Sequence, residues 1–380
     1  MDPSPKTLIV DLSNYYGGST SRVLSLMKHM PVSEIALAGL ESGAITQQAR
    51  KLNLPVHIVG KSKTDPKILF NLIHLIRQQK YQILDSQNIQ SKFWASIAAR
   101  QTQTALISTI HSWYANEHGQ KSIRGKIYTA IELSTNHSLK LYITVSERDR
   151  QSLLTSKISS ERIELIYNAV EIDSNFLQPD REWLKIKLGL PKNSIVCLAL
   201  GRLVPVKGYD ILISAVKLVT TQLPNFVCVI IGEGEQKEIL RNQINENRLE
   251  NHIHLVGFYE REFAMAALRS CDIFTMPSRY EGTPIALLEA AAMGCPIIAS
   301  ASGGIPELVN TEEQALLVPK EDRDALANGL IRLSKDRQFA TSLGLNARKH
   351  IQENFNLDQQ IRQTRAAYQK AWRMHNAQTC

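Results

Sequence analysis

The feature that most constrains this chain is a repeated alternation of short apolar runs with amphipathic helical stretches. The apolar runs are Lys6–Leu12, Glu34–Leu40, Pro55–Val59, Tyr81–Leu84, Thr104–Ile110, Leu141–Val145 and Ile163–Ile166, then Ser194–Leu200, Phe226–Ile231, His252–Val256, Asp272–Met276, Pro296–Ser300 and Ala315–Val318. Helical patterns lie between them, as at Pro66–Gln79 and Ser91–Arg100. Continuous apolar strands alternating with helices predict a parallel sheet covered on both faces, whose ligands bind at the carboxyl ends of the strands. At 380 residues the chain exceeds one ordinary core, so two domains are expected, residues 1–170 and 180–356. A polar, irregular stretch running to about Arg181 reads as the linker.

Composition narrows the class. The N-terminal stretch, Met1 to Lys6, has no apolar core after a basic start, so no leader is expected. No run of about 18 apolar residues predicts a membrane span. The five cysteines, Cys197, Cys228, Cys271, Cys295 and Cys380, form no Cys-x-x-Cys pair and read as small hydrophobes in a reducing, cytoplasmic setting. No resident metal or cofactor is expected, because no ligand cluster has metal spacing. The net charge is +8, and it is uneven. Met1–Glu161 holds 19 Lys+Arg against 11 Asp+Glu, while the remainder holds 25 of each. An anionic partner for the first half, either a membrane surface or an acidic acceptor, competes here with plain solubility charge. Two basic clusters carry that idea, Lys61-Ser62-Lys63 with Lys67, and Lys121 to Lys126. Nucleic acid is not expected, since no basic-aromatic module appears.

The densest chemistry lies in Pro277-Ser278-Arg279-Tyr280-Glu281-Gly282-Thr283-Pro284, followed by the helix former-rich run Ile285–Met293 and by Gly294-Cys295-Pro296. Thr283 is expected to cap the helix with Pro284 at its first position, and Gly294 to end it in the left-handed conformation. The first-turn N–H groups beside Gly282 form an anion site. Glu281 precedes the helix. Glu289, among apolar neighbours, is expected to be partly buried and to need donors, which a ligand's hydroxyls could supply. Gly201-Arg202-Leu203-Val204-Pro205-Val206-Lys207-Gly208 sets two cations on a glycine-flanked loop at a strand's carboxyl end, where Arg chelates two phosphate oxygens and Lys acts as a point charge. Gly17-Gly18, after the first strand, lets backbone approach a ligand, although the Gly-x-Gly-x-x-Gly fingerprint is absent. His111 falls at the end of a strand, and Ser146 takes a similar rim position.

Glu281 and Glu289, with Pro-Ser before them, Glu-Gly-x-Pro within and Leu-Glu-Ala then Gly-x-Pro after, resemble the signature of retaining family 4 glycosyltransferases. The Gly-Arg-x-x-x-x-Lys-Gly element from Gly201 to Gly208, the Gly17-Gly18 pair, Gly257-Phe258 and Ser302-Gly303-Gly304 are similar to further elements of that family. Tyr167 to Asp173 resembles its connector, with Ala169 in place of the usual Gly. The resemblance implies the GT-B fold: two Rossmann-like domains with parallel sheets facing an inter-domain cleft, and a C-terminal helix, about 357–380, that packs back on the first domain. It implies a nucleotide-sugar donor held by Gly17, Gly18, Arg202, Lys207, Gly257, Phe258, Glu281, Gly282, Thr283, Pro284 and Glu289. Arg202, Lys207, Glu281 and His111 would carry the chemistry. Ser112-Trp113 follows His111, where the family commonly has an acidic residue. The acceptor implied is a glycan or a lipid-linked hydroxyl, bound mainly by the basic first half. A nucleotide-sugar epimerase, a phosphorylase or a non-catalytic nucleotide-sugar-binding scaffold remain as alternatives.

Overall fold

The computed structural model describes residues 4–113, 130, 134–171, 180–309 and 312–377. The chain forms two units, Met1–Asn168 with Leu357–Cys380, and Ala169–Asn356. The basic cluster from Lys121 to Lys126, most of the connector after Glu171, and Cys380 lie outside the described residues.

In the first unit seven parallel strands, β1 (Thr7–Asp11), β2 (Ile35–Leu40), β3 (Val56–Gly60), β4 (Ile83–Ser86), β5 (Ala105–Ile110), β6 (Leu139–Thr144) and β7 (Ile163–Leu165), lie in the order β3-β2-β1-β4-β5-β6-β7. Thr7 of β1 aligns with Ile35 on one side and Ile83 on the other. Strand order therefore reverses between β1 and β4. Helices α1 (Gly18–His29), α2 (Ala44–Lys51), α3 (Lys67–Gln79) and α4 (Ile89–Thr102) join the early strands. Leu8, Ile9 and Val10 are wholly buried, as central strands covered on both faces must be. Strand β4 starts and ends two residues later than its apolar run predicts. Lys80 closes α3 in the left-handed conformation, φ +56°, and the strand extends through the buried polar pair Asp85-Ser86, which the apolar pattern hides.

The C-terminal helix, Leu357–Asn376, packs on β4, β5 and β6. Tyr368 is fully buried in it. Lys370 pairs with Glu164 at 2.6 Å and Arg365 with Glu34 at 2.9 Å.

In the second unit six parallel strands, β8 (Ile195–Leu200), β9 (Phe226–Ile231), β10 (Ile253–Gly257), β11 (Ile273–Met276), β12 (Ile297–Ser300) and β13 (Leu316–Val318), lie in the order β10-β9-β8-β11-β12-β13. The reversal falls between β8 and β11. Its core runs from Cys197 and Phe226 in the sheet to Leu212, Val216 and Leu330 in the covering helices. Cys197, Cys228, Cys271 and Cys295 are buried free thiols. Both sheets are doubly wound, the GT-B class expected from the sequence. In such sheets the carboxyl ends of the strands beside the reversal form the ligand crevice.

Candidate functional site

The loops after β8 and β11 flank the reversal in the second unit, and the sequence-predicted residues meet there. Lys207 Nζ donates to Glu281 Oε1 at 2.7 Å, and Ser278 Oγ donates to the same oxygen at 2.6 Å. Both members of the ion pair are mostly shielded, with 18% and 11% of the side-chain surface exposed. Removing either partner from so enclosed a pair costs on the order of 3–5 kcal/mol, because the survivor is left uncompensated. Arg202 is exposed on the same loop as Lys207.

Glycine allows these loops to touch through their backbones. Gly208, with φ +68°, packs so close that a Cβ there would lie 2.1 Å from the Pro277 carbonyl oxygen. Gly303, with φ +56°, faces Glu281 in the same way, and a Cβ would stand 1.9 Å from its carbonyl oxygen. Both positions need the left-handed backbone and the missing side chain together. Backbone bonds then stitch the rim. Arg279 N donates to Val206 O, Gly304 N to Glu281 O, and Leu203 N to Glu233 O. Ser302 Oγ donates to Ser278 O at 2.7 Å.

One clamp in this rim escapes a motif reading. Arg279 donates to both carboxylate oxygens of Asp210, at 2.9 and 2.8 Å, to Glu321 at 2.9 Å and to the Pro205 carbonyl at 2.6 Å. Its bonds to Asp210 raise its already high pKa further. Burial pushes Asp210 up, but the bonds to Arg279 outweigh it and hold the carboxyl below its ordinary range. Tyr209 is the second such residue. Its hydroxyl lies against Gly201, and burial with the nearby Glu281 charge drives it well above its usual pKa. Only the placement of Asp210 and Tyr209 directly after Gly208 hinted at either contact.

The helix after the loop is Ile285–Ala292. Pro284, not Thr283, is its cap residue, with extended ψ of 116° and no side-chain cap. The expected register was one residue early: Pro284 keeps its φ but stays out of the helix, and its carbonyl accepts from Leu287 and Leu288. Gly294 ends the helix at φ +74°, as the sequence predicts. Glu289 is buried, and Arg261 Nε meets its Oε1 at 3.2 Å. A protein cation thus supplies a donor that the sequence leaves to a ligand. Burial raises the Glu289 pKa against that pull. Gly257 ends β10, and its amide region is tied to the rim by the bond from Gly232 N to Gly257 O. Phe258 beside it is half exposed. Glu307 lies on the short helix Ile305–Leu308, directly after Gly304.

The first unit carries the remaining residues at its own reversal. Gly17 precedes α1 with extended backbone and nothing within 4 Å of a would-be Cβ. Gly18 is the first residue of that helix. His111, after β5, contacts Gln87 Oε1 through Nε2 at 2.9 Å, while its buried Nδ1 finds no hydrogen-bond partner among the described residues. Burial, with Arg22 nearby, pushes His111 down to about 3. Asp85 accepts from Tyr368 at 2.7 Å and from Thr109 at 2.8 Å. Burial nevertheless pushes it up to about 6. Arg22, also buried, donates to Asn168 Oδ1 at 2.8 Å. Ser146 turns out to cap the helix Glu147–Thr155 through Asp149 N at 3.1 Å, a structural duty.

Two glycine-laced doubly wound sheets, with a cation–carboxylate pair at one reversal, define a protein of the GT-B class. Comparison narrows it. The family described as Glycosyl transferases group 1 matches residues 180–350, and Glycosyltransferase Family 4 matches residues 16–174. The chain belongs to these glycosyltransferases. It is 28% identical over 310 residues to the UDP-Gal:alpha-D-GlcNAc-diphosphoundecaprenol alpha-1,3-galactosyltransferase of Escherichia coli, covering 80% of this chain and 79% of that one. It is 28% identical over 267 residues to the GDP-mannose-dependent monoacylated alpha-(1-6)-phosphatidylinositol monomannoside mannosyltransferase of Corynebacterium glutamicum, covering 68% and 69%. The crystal structure of Anabaena HepE in complex with UDP and glucose superposes with a TM-score of 0.85 at 21% identity, over 95% of this chain and 98% of that one.

Proposed function

We propose that this chain moves a hexosyl group from a nucleoside-diphosphate sugar to a hydroxyl of a glycan or lipid-linked acceptor, with retention at the anomeric carbon. The observation that carries the reading is the 2.7 Å Lys207–Glu281 pair on two loops that flank the strand reversal. The leaving group is already a good one, so the chief task is to receive the charge that develops on its phosphates. Arg202 chelates phosphate oxygens, Lys207 adds a point charge, and the N–H groups around Gly282, Thr283 and Pro284 lie at the same helix end. Glu281 takes sugar hydroxyls. Glu289, with Oε1 engaged by Arg261, gives its second oxygen to the ribose as a pure acceptor. Gly257 and Phe258 flank the base. Gly17 and Gly18 offer backbone to the phosphates, and His111 offers a ring nitrogen to the sugar.

In the reaction the bond from the anomeric carbon to the phosphate oxygen breaks, and its electron pair goes to the leaving phosphate. The acceptor oxygen attacks on the same face, and its proton passes to that phosphate. The reading names no protein nucleophile and needs no group beyond the donor and the chain's own side chains. The relatives' names support a nucleotide sugar and a lipid-linked acceptor, but one uses UDP-galactose and the other GDP-mannose, so the base stays open. The basic first half fits the anionic linker of such an acceptor, and the work is assigned to the cytoplasmic face of a membrane.

Thermal-shift screening against UDP-, GDP- and ADP-sugars identifies the donor, and release of nucleoside diphosphate follows turnover. A raised melting temperature with one donor, and its splitting lost in Lys207→Ala, is expected. If no nucleotide sugar stabilises the protein or is split, transferase chemistry falls and a scaffold role replaces it. The proton coupling at the new anomeric centre decides retention separately.

A further inference from the structure

We infer that the outer face of α3 and α4 is a docking surface for an anionic lipid bilayer. Helices α1 to α4 contain no Asp or Glu, yet they hold eight Lys and Arg. Of these only Arg22 and Lys92 are buried. Helices of the second unit mix both signs freely, as Lys237–Glu246 and Arg323–Lys335 show.

Apolar surface sits within that one-signed field. The exposed stripe of α3 is Lys67, Phe70, His74 and Arg77, spaced so that all four share a helical face. Phe70 is 71% exposed there, and Phe93 on α4 is 44% exposed. The two helices pack side by side. Arg77 reaches the Gln101 carbonyl at 3.5 Å, and Trp94 donates to the Lys63 carbonyl at 2.9 Å. The second bond fixes the loop with Lys61 and Lys63 against α4. Phe93 lies edge-on to Trp94, with ring centres 5.2 Å apart. A shallow groove runs along α3 beside Phe70, Ile73 and His74. The neighbouring acid is Asp65, and its carboxylate is occupied by the backbone N–H groups of Lys61 and Lys67.

Exposed aromatic side chains among cations that outnumber the one adjacent carboxylate, Asp65, complement a negatively charged membrane interface, where basic residues are attracted to the surface and aromatic rings enter the headgroup layer. This inference refines the proposed function by naming the surface that would meet the bilayer. It stands or falls separately from the transfer chemistry.

The test is co-sedimentation of the full chain with phosphatidylcholine vesicles, with and without phosphatidylglycerol. Binding to the anionic vesicles only is expected, falling steeply with salt. Arg77→Glu should lower the partition coefficient roughly tenfold or more, and Phe70→Ser with Phe93→Ser should lower it about as much. Lys349→Glu, an equal charge change on the second unit, should leave it unaltered. Transfer to a short water-soluble acceptor should be the same in all these variants. Equal binding to neutral vesicles, or partition insensitive to both α3–α4 changes, overturns the inference. So does a concentration-dependent dimer in sedimentation velocity that the double Phe change abolishes, since a second copy would then cover the face.

Discussion

The two units wind their sheets in one order and reverse at equivalent places, yet they finish the rim differently. The second unit joins its loops backbone to backbone, with Gly208 against Pro277 and Gly303 against Glu281. Its charged pair is held by geometry that no side chain can relax. The first unit leaves Gly17 open and supports its rim from beneath with buried ionisable groups, Asp85, Arg22 and His111. A backbone-built rim leaves its loops little freedom to shift. A rim carried by buried titrating groups is tuned by protonation.

The sharpest way to break this contrast is Gly303→Ala. The methyl has no room and the backbone is left-handed, so the 277–284 loop must move. We expect kcat/KM for donor splitting to fall more than roughly 100-fold, with far-ultraviolet circular dichroism retained. Lys207→Ala keeps the loops but removes the cation. A loss of about 100-fold in kcat is expected, and an unchanged kcat would remove Lys207 from the chemistry. Arg279→Ala loosens the clamp without touching the ion pair. Its half-exposed bonds suggest about 1–2 kcal/mol lost in chemical denaturation and a roughly tenfold drop in kcat/KM.

The first unit is probed by pH. His111, neutral when folded down to about 3, makes stability rise with pH between about 4 and 6, because only the unfolded chain binds that proton. Asp85, protonated when folded up to about 6, makes stability fall over the same window, because only the folded chain binds that proton. Each slope approaches about 1.4 kcal/mol per pH unit, and the two oppose. The two contributions nearly cancel in the wild type, so Asp85→Asn should leave a stability that rises with pH across this window and His111→Gln one that falls, as urea titrations at several pH values will show. Tyr368→Phe, which strips a donor from Asp85, should cost about 1–2 kcal/mol. The smallest effect is expected from Gly17→Ala. With open space and extended backbone, stability should shift by less than about 0.5 kcal/mol, while donor KM rises a few-fold if phosphates pass there.

Much of this architecture was legible in the sequence. All the strand-like apolar runs became strands, since a parallel sheet buried on both faces leaves no other use for them. The Gly201–Gly208 loop and the Glu281 loop were legible because glycine, charge and a helix start coincide at a strand's end. What stayed hidden depends on partners distant in sequence. Arg279 reads as an ordinary loop cation until Asp210 and Glu321 arrive beside it. The donor to Glu289 comes from Arg261, 28 residues earlier. Asp85 extended β4 beyond its apolar run because Tyr368, at the far end of the chain, satisfies it. Thr283 misled because Pro284 serves as well outside a helix as at its first position.

The C-terminal helix gives the chain an unusual genealogy. The backbone enters the second unit at Ala169 and leaves it after Asn356, so the first unit is written in two separated stretches. Recombination between relatives that splices one front half to another back half parts Asp85 from the helix bearing Tyr368. A functional hybrid must inherit residues 1–168 and 357–380 from the same parent, with the second unit grafted between them as an insert.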